Sequence, residues 1–77
     1  MDYDFEQVSE QLKYNIECTE QYLDILDKLL YKNRHKRLSS LPREELSQIE
    51  NAFVMLFMHY KKCLELDEIL KTLKGEI

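Results

Sequence analysis

His59 and Cys63 stand four residues apart, so on a helix both fall on one face, the spacing at which two side chains can share a metal. Cys18 is the third candidate donor. In the antiparallel arrangement expected below it lies level with Cys63, whereas His35 belongs to the far end of the molecule. Zinc takes four ligands, at least three of them from protein, and no further Cys or His lies near. The two thiols therefore read as small apolar packing residues and His59 as a partly exposed helix residue. Neither a metal nor a cofactor is expected. A disulfide would need both thiols turned inward, and Cys18 lies off the main apolar stripe, so reduced cysteines are expected.

The other chemistry-bearing tract is basic. "YKNRHKR", residues 31–37, together with Arg43 supplies Lys32, Arg34, Lys36, Arg37 and Arg43 with no acid among residues 31–43. Such a tract can grip phosphate or an acidic partner, with Tyr31 beside it for stacking. It equally suits the last turn of a helix, where cations complement the macrodipole. Enzymatic groundwork is missing. There is no glycine-rich phosphate loop and no Ser–His–Asp set. Acids such as Glu17, Glu20 and Asp24 are spaced as on a solvated helix face. No enzymatic activity is expected.

The elements that carry these residues are helices. One Gly and one Pro in 77 residues leave little material for a turn-rich β fold. Phe5, Val8, Leu12, Ile16, Leu23, Leu26 and Leu30 recur at steps of three and four, with Thr19 filling the gap, and predict a helix from about residue 4 to about 38. Ser39 to Pro42 make the turn. Glu44 and Glu45 then fall in a first helical turn, where negative charge is favoured. Leu46, Ile49, Phe53, Leu56, Tyr60, Cys63 and Leu70 predict a second helix over about 43–74. A short connection makes the two antiparallel neighbours, each about 50 Å long at about 1.5 Å per residue. A turn centred near residues 40 and 41 sets Val8 opposite Leu73 and Leu26 opposite about Met55. The expected fold is all-α: one domain over residues 1–77, an antiparallel two-helix hairpin with coiled-coil spacing.

"NAFVMLFMHY", residues 51–60, exceeds what a hairpin can use. Ala52 to Met58 are apolar without a break, whereas a helix burying one face needs about three or four apolar positions per two turns. With Phe53, Leu56 and Tyr60 closing the hairpin, Val54, Phe57 and Met58 have no cover. Tyr22, Ile25 and Leu29 lie level with them on the first helix, and methionines suit an adaptable contact surface. Tyr22, Ile25, Leu29, Phe53, Val54, Phe57 and Met58 are the expected partner-binding residues. A second copy or a partner helix would complete a four-helix bundle. A 77-residue domain buries only about 60% of its unfolded surface, which makes such completion valuable.

The net charge of −4 is unevenly spread: −6 over residues 1–30, +5 over 31–43 and −3 over 44–77. An acidic chain is a poor nonspecific nucleic-acid binder. The start "MDYDFEQVSE" lacks the basic and apolar regions of a signal peptide, and the longest apolar run is far short of the ~20 residues of a membrane span. A cytoplasmic protein with no membrane association is expected.

Two resemblances bear on function. "LSQIENAF" resembles the Ser-Gln-Glu-Leu-Asp signature of small two-helix bacterial phosphatases that act on aspartyl-phosphate response regulators. Here Ser47 and Gln48 are followed by Ile49, Glu50 and Asn51, so the Leu and the Asp are missing and the activity is not carried over. Size, acidity and hairpin shape also resemble the small cytosolic export chaperones of type III secretion, an architectural likeness that implies a role in holding a helical client. The functional expectation is a small protein–protein interaction module, as regulator, adaptor or chaperone, working as a homodimer or with a helical partner. The alternatives are an export chaperone of that kind and a nucleic-acid-associated regulator using the basic tip.

Overall fold

Asp4 starts the first helix. Its extended backbone lets the carboxylate accept from the Glu6 amide at 3.2 Å, capping α1, Phe5–Lys32. The computed structural model describes residues 4–75; residues 1–3 and 76–77 of the expected domain lie outside the described residues. A short 3-10 turn, Leu38–Ser40, and a second helix, α2, Arg43–Gly75, complete the element order. The described residues are all-helical, with the two long helices packed against each other in a body 54 Å long and 18 by 15 Å across.

Helix α1 ends at Lys32, earlier than the expected residue 38. The stop is Asn33, buried at the base of the loop. Its amide side chain donates to the Leu29 carbonyl at 2.9 Å, and its backbone N–H turns back to Leu30. Its backbone, at φ −108° and ψ 18°, is not left-handed, so the stop rests on the side chain, which takes up a carbonyl of the last turn. Leu41 plugs the loop from beneath at 6% exposure. Pro42 stands just before α2, and its carbonyl accepts the Leu46 amide at 3.1 Å.

Val8, expected opposite Leu73, forms the best-buried cluster with Leu66 and Leu70, and Leu73 packs around it together with Leu12 and Ile69. Further along, Asn15 meets His59 nearer the loop than expected, whereas Tyr22 on His59 and Thr19 on Cys63 fall at the expected level.

The buried seam follows a heptad in both helices. In α1 it runs Val8, Leu12, Asn15, Thr19, Tyr22, Leu26, Leu29, and Asn33 continues it just past the helix end. In α2 it runs Glu45, Ile49, Ala52, Leu56, His59, Cys63, Leu66, Leu70, Leu73. Every one of these is buried or half-buried. In heptad terms, Leu12, Thr19, Leu26, Ile49, Leu56, Cys63 and Leu70 take position a, while Asn15, Tyr22, Ala52, His59 and Leu66 take position d.

That seam is not the most apolar stripe of either helix. The expected rows paired the a residues with Ile16, Leu23 and Leu30 in α1 and with Phe53 and Tyr60 in α2, all at position e. All five are more than 40% exposed. Phe53 and Tyr60 therefore do not close the hairpin; Ala52, Leu56 and His59 do. Each helix is turned by about 50° from the predicted seam, at 3.6 residues per turn. The polar d residues satisfy one another across the interface, and Ala52, 2% exposed, offers little bulk there.

Candidate protein-binding face

Contacts across the hairpin sort by heptad position and define two faces. On one face the a residues meet: Thr19 Oγ1 lies 3.8 Å from Cys63 Sγ, and Leu12 and Ile16 line the same shallow hollow as Leu70. On the other the d residues meet: Asn15 and Tyr22 on His59, and Lys32, beside this edge, on Glu45. Because e follows a around a helix and g follows d, the e residues of both helices flank the first face.

The first face carries an unpartnered apolar strip. Ile16, Leu23 and Leu30 of α1 lie close to level with Tyr60, Phe53 and Leu46 of α2, in that order. Phe57 and Leu64, one turn from Phe53 and Tyr60, widen the strip on α2. Phe53, Phe57, Tyr60 and Leu64 are each between 50 and 58% exposed. Leu46 is half-buried. The strip runs about 20 Å along each helix at about 1.5 Å per residue. Contiguous apolar surface of this kind marks an interaction site more often than scattered exposed leucines do.

The second face is built around a polar layer. Asn15 Nδ2 donates to the Gln11 carbonyl at 2.8 Å, which leaves Oδ1 as the acceptor facing His59 Nδ1 at 2.9 Å. His59 therefore carries its proton on Nδ1 in its neutral form. Tyr22 stacks on the imidazole with ring centroids 5.8 Å apart, and Tyr14 meets it edge-on at 6.5 Å. The Tyr14 phenol is raised above its ordinary pKa, chiefly by its hydrogen bond with Cys18 and then by repulsion from a Cys18 thiolate. Every ring or amide in this layer has a partner, which is how a polar group is kept at a helix–helix seam.

The expected partner-binding residues divide. Phe53, Val54, Phe57, Met58 and Ile25 are exposed, between 46 and 58%. Val54, Phe57 and Met58 form the back of α2, with Phe57 on the shoulder that adjoins the apolar strip. Tyr22 and Leu29 turn inward at position d, so they belong to the hairpin seam and not to its free surface. Ile25 lies on the second face. Ile16, Leu23, Leu30, Tyr60 and Leu64 were not expected here. Ile16, Leu23, Leu30 and Tyr60 do carry a signal in the sequence, since they belong to the apolar rows expected at the seam.

The basic tip is partly engaged. Lys32 pairs with Glu45 at 3.4 Å. The Arg34 guanidinium lies 4.1 Å over the Tyr31 ring and donates to the Tyr31 carbonyl at 2.9 Å. Lys36, Arg37 and Arg43 are exposed and make no ion pair among the described residues. Both cysteines are free and half-buried, and no three His, Cys, Asp or Glu side chains converge as metal donors among the described residues. Among the described residues no helix is long and apolar enough to cross a membrane. No protein-family model, curated protein or solved structure matches the chain.

Proposed function

We propose that this chain is a protein–protein interaction module, a helical hairpin that presents the Ile16–Leu23–Leu30 and Phe53–Phe57–Tyr60 strip to another helical surface. One observation carries this reading. The more apolar stripe of each helix lies outside the seam that closes the hairpin, and Leu23, Phe53, Phe57 and Tyr60 are each more than half exposed. Leaving a large apolar side chain wet forgoes about 1.5–3 kcal/mol of burial per residue, a heavy loss for so small a domain. Packing a further pair of helices on this strip turns the a, d and e positions together into the core of a four-helix bundle, the apolar width such bundles use. Regulator, adaptor and chaperone roles all work through such a surface.

The test is hydroxyl-radical footprinting of the protein inside the cells that make it, against the hairpin isolated at high dilution. Phe53, Phe57 and Tyr60 are expected to be protected in the cell, while Tyr31, 67% exposed at the tip, labels equally in both. Equal labelling of all four rings in both settings overturns the reading.

A further inference from the structure

Resting on that reading, we infer that the occupant of the strip is a second copy of this chain, packed antiparallel about a two-fold axis near Leu23. Charge decides the orientation. The tip, residues 31–43, carries +5, whereas residues 4–20 at the open end hold Asp4, Glu6, Glu10, Glu17 and Glu20 against Lys13 alone. A parallel copy superposes the two basic tips. An antiparallel copy with its axis at the middle of the strip lays Lys36 and Arg37 of each chain over the level of Glu10 in the other, with Glu6 one turn beyond. All four side chains are exposed and none is spent in an ion pair among the described residues.

Area agrees with a self-contained dimer. The exposed parts of Ile16, Leu23, Leu30, Phe53, Phe57, Tyr60 and Leu64 come to roughly 700 Å² per chain, taking about 200 Å² for a large apolar side chain. Two copies then bury about 1,400 Å², within the roughly 1,200–2,000 Å² of stable interfaces. The same patch meets itself across the axis, as an isologous contact requires. The hairpin's own polar layer, Asn15 and His59, stays on the opposite face and is not asked to desolvate further.

Complementary charge reversal tests this. Lys36→Glu/Arg37→Glu and Glu6→Lys/Glu10→Lys alter exposed side chains only, so the hairpin remains folded. Sedimentation at low salt is expected to give a wild-type dimer and about tenfold weaker self-association for each variant alone. An equimolar mixture of the two is expected to recover wild-type affinity, because every tip then meets an end of opposite charge. In a parallel dimer the tip variant alone self-associates as well as wild type, and that result overturns the inference, as does a mixture that fails to recover. A wild-type chain that stays monomeric to about 100 µM also overturns it. If footprinting still shows the strip protected in cells, only the identity of the occupant falls; if protection is absent too, the interaction reading falls with it.

Discussion

Removing the Asn15 side chain tests whether the polar layer holds the two helices in register. Asn15 is 9% exposed and its Oδ1 accepts from His59 at 2.9 Å. In Asn15→Ala the Gln11 carbonyl loses only a supernumerary donor, but His59 Nδ1–H is left facing the seam without an acceptor. An orphaned buried donor costs about 1–3 kcal/mol. His59 is half-buried, so the lower end applies, about 1 kcal/mol. For a chain this short, with a urea slope near 1 kcal/mol per molar, the unfolding midpoint falls by about 1 M. His59→Ala removes the same bond from the other side and additionally strips the Tyr22 stack, so it costs more. The double variant closes a cycle whose coupling is expected at about 1 kcal/mol. Urea unfolding followed by circular dichroism, at one fixed protein concentration, measures all three. Additivity within about 0.3 kcal/mol would show that the two residues do not act together and would refute the assigned bond. The replacement Asn15→Leu/His59→Leu separates stability from specificity. Exchanging both partners for apolar groups is close to neutral in energy. It also makes the inner seam as apolar as the outer strip, and a buried polar pair is a known way of fixing register in coiled coils. Amide spectra of that variant are expected to broaden or double.

Two further outcomes follow from the packing. Leu66→Ala, at 1% exposure in the Val8 cluster, is expected to destabilise by about 3 kcal/mol whatever the protein concentration, read as a shift in the urea midpoint. Cys18→Ala is expected to bring the Tyr14 phenol back down toward 10.0, seen in a difference titration of phenolate absorbance. Because the folded-state value is raised, the wild type keeps this contribution below the ordinary tyrosine range and loses it as the pH climbs through the folded value.

Much of the hairpin could be read from residue order, and the exceptions have local causes. Pro42 and the acids after it mark the start of α2, and the three-and-four spacing marks both helices. The end of α1 was set by one asparagine whose side chain reaches back to Leu29, a weaker sign than a glycine. Which stripe turns inward was hidden for a different reason. Apolarity ranks Ile16, Leu23, Phe53 and Tyr60 above Asn15, Thr19, Ala52 and His59, and for an isolated hairpin that ranking should choose the seam. It fails here, where polar groups across the seam satisfy one another. The unbroken run alone marks Val54, Phe57 and Met58 as surplus to the hairpin, while Phe53 reads as part of its seam. Their division between the strip and the back of α2 required the rotation of the helix, which no pattern of residue types specifies.

Sedimentation equilibrium of wild type and Phe57→Glu, from about 1 to about 100 µM, bears most directly on the claim that the outer strip is where two copies meet. The prediction is a wild-type mass approaching twice the 9.4 kDa of the chain, and a Phe57→Glu mass that stays at 9.4 kDa with its helix content unchanged. A wild-type mass of 9.4 kDa throughout, or a Phe57→Glu dimer as tight as wild type, contradicts it.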